Sequence, residues 1–231
     1  MDNILEDIIQ QLKEMSDPSA IEGMQRYGIT PDRTYGISIP SLRAIAKKTG
    51  HDHELAKSLW NSGIRETRIL ASMIDEPAQV TGKQMEHWVL DLDYWEICDQ
   101  CCMNLFQKIP HATQKAVEWS HREEEFVKRA GFVLMARLAV ADKTAPDELF
   151  ESFLPIIEQE APDTRNYVKK AVNWALRQIG KRNLHLNSRA LRTAETINSM
   201  DSKSAHWIAS DAIRKLSGEK VQERLQRRES H

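Results

Sequence analysis

Glycine and proline are scarce in this sequence, with 9 and 8 residues among 231. Few segments alternate apolar and polar residues, which is the pattern of a half-buried strand. Apolar residues recur instead at spacings of three and four, as in FVKRAGFVLMARLAV and YVKKAVNWALRQIG. The sequence therefore predicts an all-α protein, with about twelve helices and no sheet.

The sequence also lacks long apolar segments and cysteines distributed along the chain. No segment reaches the roughly 18 consecutive apolar residues of a membrane-spanning helix, so we expect no membrane span. The N-terminal segment is acidic and amphipathic, unlike a secretory signal. The three cysteines all fall within residues 98–102, which excludes a disulfide framework and suits a reducing compartment. We therefore expect a cytoplasmic protein.

Excess positive charge is absent as well. The net charge is −2 and the isoelectric point is about 6.5. Proteins that depend on attraction to bulk phosphate are usually more basic. A nucleic-acid-binding role would therefore require the positive side chains to gather on one face.

Helix starts are marked by local sequence. Thr81 with Gln84 and Ser120 with Glu123 match the capping box, in which a hydroxyl and a side chain three residues later satisfy free backbone donors. These pairs predict helices that begin just after Thr81 and just after Ser120.

The helical segments repeat. Ala130, Ala171 and Ala212 align at equal intervals of 41 residues. A period near this length with two helices per unit is typical of HEAT-like repeats, whose neighbouring units stack into an α–α superhelix with a concave groove. We expect one HEAT-like-repeat domain over residues 1–217 and a charged C-terminal tail over residues 218–231. The residue before the register alanine is Arg129, Lys170 and then Asp211, so a basic stripe would not run the whole length.

The segment DYWEICDQCC, residues 93–102, concentrates aromatic, acidic and thiol groups. Trp95 and Asp99 lie four residues apart, on one face of a helix. Cys98 and Cys101 have a spacing found in metal and redox sites, but a closed zinc site needs four ligands and no second such pair is present. Buried ordinary cysteines, a metal site and a redox site remain the alternatives. An acid within so apolar a helix needs a partner or a groove.

A second aromatic and basic cluster occupies VNWALRQIGKR. Trp174 and Arg177 are three residues apart, and Lys170 and Lys181 extend the same face by a turn in each direction. The pattern fits a core tryptophan beside surface cations. It also fits an aromatic platform flanked by phosphate-binding side chains, because the planar guanidinium matches phosphate geometry.

Four segments in this order resemble the AlkD-type DNA glycosylases, the HEAT-like-repeat branch of the DNA alkylation repair proteins. They are YGISIPSLR, WEICD, FVKRAGFVLMAR and YVKKAVNWALR, and the resemblance covers roughly residues 20–216. It implies hydrolysis of the N-glycosidic bond of positively charged alkylated purines, such as 3-methyladenine or 7-methylguanine. It further implies double-stranded DNA as the partner of a monomer, with no cofactor and no metal.

The resemblance also implies roles for individual residues. Trp95 and Trp174 match tryptophans of the DNA groove, and Asp99 matches the catalytic aspartate. The positions that match DNA-binding residues are Arg129, Arg137, Lys170, Arg177, Arg43 and Tyr27, the last as an aromatic that closes the groove. Two features depart from the family's pattern, namely the acidic charge balance and Glu96 directly after Trp95.

These residue types suit the chemistry. An alkylated purine carries a positive charge, and its loss passes through a transition state that resembles an oxocarbenium ion. Tryptophan faces attract cations, a carboxylate near the sugar stabilises the developing charge, and basic side chains hold the phosphates. The alternative is a HEAT-like scaffold that binds protein or nucleic acid without catalysis, since a fold alone does not imply chemistry.

Overall fold

The structure is a computed structural model that describes residues 2–29 and 33–229. These residues form fourteen α-helices and one 3₁₀ turn, without a strand, so the described chain is all-helical as predicted, with more helices than the expected twelve or so. No helix in these ranges is long and apolar enough to cross a membrane. The helices are α1 Asp2–Glu14, α2 Pro18–Gln25, α3 Ile39–Thr49, α4 His53–Asn61, α5 Arg65–Ile74, α6 Gly82–Leu90, α7 Trp95–Asn104, α8 Ala112–Ser120, α9 Glu125–Ala141, α10 Asp147–Glu160, α11 Asn166–Ile179, α12 Leu184–Asn198, α13 Lys203–Leu216 and α14 Glu219–Glu229, with the 3₁₀ turn at Phe106–Lys108.

The contacts of the chain divide it into two compact units, Met1–Pro110 and His111–His231. In the N-terminal unit, α3, α5 and α7 pack side by side, and α4 packs against α5. The rings of Trp60 and Trp88 join α4 to α6, stacked with their centroids 4.1 Å apart. The indole nitrogen of Trp60 donates to Asp91 at 2.8 Å. The central row α3–α5–α7 is the part of this unit that carries the predicted catalytic segment.

The C-terminal unit contains the helix pairs α8–α9, α10–α11 and α12–α13, followed by α14. The second helices of these pairs, α9, α11 and α13, lie next to one another in chain order. Ala130, Ala171 and Ala212 occupy these three helices and are fully buried. The 41-residue register is therefore confirmed, because small residues recur where successive second helices approach one another.

One of the two predicted capping boxes was wrong. Thr81 caps α6 as expected, accepting a hydrogen bond from the backbone N–H of Gln84 at 3.1 Å, but the Gln84 amide donates to Asp75 at 2.7 Å, so only the Thr81 half of the box forms. Ser120 is instead the last residue of α8, and its hydroxyl donates back to the carbonyl of Val117. The next helix begins only at Glu125. The local sequence alone could not separate the end of one helix from the start of the next.

The C-terminal tail forms a helix, α14, that packs on α12 and α13. Leu225 is its one buried residue. The amide of Gln222 donates to the side chain of Asn187 at 3.0 Å and to the carbonyl of Leu216 at 2.7 Å. The charged tail is thus attached to the C-terminal unit. The predicted single domain over residues 1–217 stays a prediction.

Candidate active site and nucleic-acid interface

Helix α7 presents Trp95 and Asp99 on a partly exposed face. The opposite side of the helix is buried, since Ile97, Cys98 and Cys101 are 0% exposed. Trp95 is the first residue of the helix and Asp99 follows one turn later, and both are intermediate in exposure. The buried residues therefore fix the orientation of α7, and its orientation places an indole and a carboxylate side by side.

Tyr27 lies beside Trp95, although 68 residues separate them in sequence. The indole nitrogen of Trp95 donates to the backbone carbonyl of Tyr27 at 2.8 Å. The side chain of Tyr27 is 74% exposed, which is high for a residue of this size. The structure therefore brings together two of the predicted site residues, an anchored indole and an exposed phenol.

A buried ion pair fixes the start of α7. Both carboxylate oxygens of Glu96 accept from the guanidinium of Arg65, at 2.7 and 2.8 Å. The side chain of Arg65 is 1% exposed and that of Glu96 is 11% exposed. Burial lowers the pKa of Arg65, but the two glutamates that it contacts raise it by more. Glu96, which departs from the family's pattern, thus joins α5 to α7 next to Trp95.

Glu66 extends the same network to the segment that contains YGISIPSLR. Its carboxylate accepts from the backbone N–H groups of Tyr35 and Ile37, at 3.0 and 3.1 Å, and from the hydroxyl of Thr34 at 2.9 Å. Gly36 has a φ of +77°, and a side chain there would collide with the carbonyl of Asp17. Sequence reasoning missed this network. Its available signal was the Arg–Glu pair that opens α5.

Arg43 is exposed on α3, in the same unit. This helix begins after Ser38, whose hydroxyl accepts from the N–H of Ser41 at 3.3 Å. The segment held by Glu66 leads directly into α3, so the network that fixes α7 also fixes the helix that carries Arg43. An exposed arginine on a fixed helix is suited to contact a phosphate.

Arg129 and Arg137 lie on α9 in the C-terminal unit. Arg129 is only 5% exposed, and its guanidinium donates to the carbonyl of Tyr167 at 2.7 Å. It therefore ties α9 to the start of α11, and little of its side chain is accessible to solvent. Arg137, two turns later, is partly exposed.

Helix α11 carries Lys170, Trp174 and Arg177 on one face. Lys170 is exposed, whereas Trp174 and Arg177 are partly buried. Arg177 forms an ion pair with Asp211 of α13 at 3.4 Å. Asp211, which interrupts the basic register in the third repeat, thus pairs with Arg177 of the second repeat. The charge of Arg177 is therefore already balanced in part.

Trp207 on α13 is a surface aromatic that sequence reasoning passed over. It is 42% exposed, and the ammonium of Lys169 lies 4.9 Å from the centre of its ring. A cation over an indole face is a favourable contact, and an exposed indole is also a surface on which a base can stack. Its signal in the sequence was a tryptophan five residues before the register alanine, Ala212.

The ends of α9, α10 and α11 are joined by a second charged network. The ammonium of Lys128 lies 2.7 Å from Glu160 and 3.8 Å from Asp163. Burial would raise the pKa of Asp163, but hydrogen bonds and charge from Arg165 outweigh it and lower that pKa. The hydroxyl of Ser204 donates to the Asp163 carbonyl at 2.6 Å. These contacts hold the N-terminal end of α11, and therefore the face with Trp174.

The two units differ in charge. The N-terminal unit has 11 lysines and arginines against 17 aspartates and glutamates, a net charge of −6. The C-terminal unit has 21 against 17, a net charge of +4. The overall value of −2 thus conceals a basic unit. Phosphate attraction is favoured on the unit with Trp174, while Asp99 belongs to the acidic unit.

The three cysteines of α7 are fully buried. Burial raises the pKa of Cys101 and Cys102 well above that of an ordinary thiol. Within residues 2–29 and 33–229, no group of three histidine, cysteine or acidic side chains is arranged to hold a metal ion. Burial of this kind is typical of cysteines that serve as small apolar side chains.

Comparisons with known proteins agree with this architecture. Residues 8–216 match the model of the family described as DNA alkylation repair enzyme. No curated protein matches the sequence. A solved structure covers 91% of this chain and 94% of its own, with 16% identity and a TM-score of 0.75. It represents a family described as related to the HEAT-like repeat DNA glycosylases, with affinity for branched DNA structures. The predicted HEAT-like helical-repeat fold is therefore confirmed.

A second solved structure is similar over a comparable length. It is a designed armadillo repeat protein in complex with the peptide (KR)4, with 14% identity over 81% of this chain and 89% of its own. Its TM-score of 0.37 is too low to support an inference about function.

Proposed function

Because the chain belongs to the DNA alkylation repair enzyme family, we propose that it hydrolyses the N-glycosidic bond of positively charged alkylated purines in duplex DNA. The observation that carries the proposal is the exposed face of α7, on which Trp95 and Asp99 lie one turn apart above a fully buried opposite side. A carboxylate next to an indole is the combination that the excision of a cationic base requires.

In the proposed reaction, the bond between C1′ of the deoxyribose and the purine nitrogen breaks. The bonding electron pair leaves with the base, which neutralises the positive charge of the alkylated purine. Water then adds its oxygen to C1′ and releases a proton. Asp99 stabilises the oxocarbenium-like sugar and orients the water, and Trp95 faces the cationic base. The chemistry needs no cofactor, because the substrate already carries an activated leaving group.

The DNA-binding roles fall to side chains of both units. Arg43, Arg137 and Lys170 are at least partly exposed cations and contact backbone phosphates in the proposal. The exposed Tyr27, next to Trp95, contacts the distorted duplex near the lesion. In the C-terminal unit, Trp174 offers an aromatic surface to the duplex. Arg129 and Arg177 act mainly by holding neighbouring helices in place. Arg129 already bonds to Tyr167, and Arg177 already pairs with Asp211.

The test is base release from duplex DNA that contains 7-methylguanine, measured at constant ionic strength against the spontaneous rate. We expect the wild-type protein to release the base above that rate. Trp95→Ala should impair both binding of the lesion and release, because it removes an aromatic surface and a cation partner. Trp119→Phe is the control, since Trp119 is a fully buried tryptophan on α8. Release at the spontaneous rate by wild type would refute the proposal.

A second candidate function is binding of branched DNA without base excision. Two observations favour it, namely the affinity described for the structurally similar protein and the −6 charge of the unit that carries Asp99. Competition between a four-way junction and a linear duplex of equal phosphate content separates the two functions. A strong preference for the junction, combined with no base release, would support the second candidate and exclude the first.

A further inference from the structure

A cavity of about 410 Å³ lies next to the C-terminal helix α14, entirely within the C-terminal unit. Its walls are the loop after α9, the start of α10, the end of α11 and one side of α14. The basic side chains in its lining are Lys143, Lys181, Arg182, Arg224 and Arg228. Among the described residues of the lining, the one acid is Asp147, and both of its carboxylate oxygens accept from the amide of Asn183, at 2.9 and 2.8 Å.

One of the five cations holds the cavity wall. The guanidinium of Arg182 donates to the carbonyls of Ala139, Asp142 and Ala145, at 2.9, 2.6 and 3.2 Å. It also lies 3.8 Å from the centre of the Phe150 ring. Arg182 is therefore committed to closing the loop between α9 and α10.

In the part of the chain that the structure describes, the other four cations form no ion pair, although Asp147 shares the lining with them. Arg224 and Arg228 make long hydrogen bonds to the backbone carbonyls of Lys181 and Arg182, at 3.4 and 3.3 Å. Within residues 2–29 and 33–229, neither Lys143 nor Lys181 forms an ion pair. The end of α11 attracts cations through its helix dipole, which accounts for the two arginines. The dipole also suits Lys181, just after α11, but it does not account for Lys143 on the loop after α9.

The electrostatics of Lys181 show that these charges repel one another. Burial lowers its pKa most, and the neighbouring charges of Arg177, Arg224 and Lys215 lower it further. Asp211 opposes this only weakly. A cluster of cations that is not balanced by acids stabilises a bound anion, because the anion removes the repulsion.

We propose that this cavity binds a phosphate group, with Lys181, Arg224 and Arg228 as its ligands and Lys143 at the rim. Two guanidinium groups supply the paired N–H donors that fit the oxygens of a phosphate, and an ammonium adds a point charge. The phosphate is either a phosphodiester of the DNA backbone or free phosphate. The DNA source depends on the proposed function, whereas phosphate binding itself does not. If the bound phosphate is a phosphodiester of DNA, α14 adds a contact to the DNA-binding surface.

The first experiment measures thermal unfolding of the full chain in sodium phosphate and in sodium chloride at equal ionic strength. A ligand that binds only the folded state raises the melting temperature, because it stabilises that state by an amount that grows with the logarithm of the ligand concentration above its Kd. We expect a phosphate-specific rise for wild type and its loss in Lys181→Gln. Arg227→Gln is the matched control, because Arg227 is on α14 but outside the cavity, with a side chain 77% exposed and paired to Glu223.

Misfolding would not explain the expected result. Lys181→Gln should keep a cooperative unfolding transition in chloride, which shows that it folds, and should lose only the phosphate-specific rise. A wild-type protein without a phosphate-specific rise would overturn the proposal. So would a Lys181→Gln variant that keeps the full rise.

The second experiment identifies the source of the phosphate by fluorescence anisotropy with a labelled, unmodified duplex. Affinity falls with salt, and each phosphate contact makes the slope of log affinity against log salt more negative by roughly 0.9. If the cavity holds a phosphodiester, Lys181→Gln should reduce the magnitude of that slope by about 1, and Arg227→Gln should leave it unchanged. An unchanged slope together with a lost thermal response assigns the cavity to free phosphate. Neither readout depends on base release, so failure of the glycosylase proposal would be seen separately.

Discussion

Replacing Glu96 with glutamine removes the negative charge that the buried guanidinium of Arg65 contacts through two hydrogen bonds. The substitution keeps the size of the side chain. The new amide still accepts one bond, but its NH₂ group faces a guanidinium that can only donate. The start of α7 thus loses the ion pair that joins it to α5.

The expected cost follows from the burial of the pair. Removing one partner of a buried ion pair costs about 3–5 kcal/mol. Arg65 keeps its contacts with Glu66 and with the carbonyl of Ile37, at 2.8 and 2.9 Å, so its charge remains partly matched. We therefore expect the lower end, about 3 kcal/mol. For a chain of this size, that corresponds to a fall of about 6–12 °C in the melting temperature.

The assay is thermal unfolding followed by circular dichroism. Glu54→Gln serves as the control, because Glu54 pairs with Lys57 on the surface and its side chain is 58% exposed. Exposed pairs contribute less than about 1 kcal/mol, so the control should unfold close to wild type. A Glu96→Gln variant that unfolds within about 2 °C of wild type would refute the role assigned to this ion pair.

Three further predictions concern packing, thiol reactivity and pH. Gly131→Ala should destabilise the protein by about 1–3 kcal/mol, because the new Cβ would lie 2.5 Å from the backbone nitrogen of Ser120. Urea unfolding measures this loss. Gly82→Ala is the control and should not destabilise the protein, because nothing lies within 4 Å of the added Cβ. A thiol reagent should label no cysteine of α7 in the native protein and all three after unfolding, since all are buried; rapid native labelling would contradict this. Hydrogen bonds from the backbone of Ala145 and its neighbour lower the pKa of Asp142 in the folded state. The stabilisation is therefore present above the unfolded pKa and is lost as pH falls through the folded value. Asp142→Asn should be less stable than wild type at pH 7, and this difference should shrink as the pH falls below the ordinary pKa of an aspartate; a difference that stays constant would contradict this.

The fold was predictable because its determinants are local and periodic. The spacing of apolar residues defined the helices, and Ala130, Ala171 and Ala212 defined the register of the C-terminal unit. At Ser120 the local sequence fits both the start and the end of a helix, and the sequence prediction was wrong. Both capping and the end of a helix use a serine hydroxyl, and only the packing of α8 on α9 decides between them.

The candidate site was predictable only in part. The four-residue spacing of Trp95 and Asp99 placed them on one face of α7, because that geometry follows from the helix. The Arg65–Glu96 pair joins residues 31 positions apart, so no local pattern reveals it. The pairing of Arg177 with Asp211 likewise depends on how two helices pack. Contacts of this kind decide which cations remain available to DNA.

Asp99→Asn tests the central claim most directly, because it keeps the size of the side chain and removes only its charge. The measurement is the single-turnover rate of 7-methylguanine release, with the dissociation constant for the same duplex determined in parallel. The account predicts an unchanged dissociation constant and a rate at least about 100-fold slower, the loss typical when one stabiliser of a developing charge is removed. Asp93→Asn, which removes an exposed acid just before α7, should release the base at the wild-type rate. Asp99→Asn as active as wild type would contradict the assignment of Asp99 as the catalytic residue.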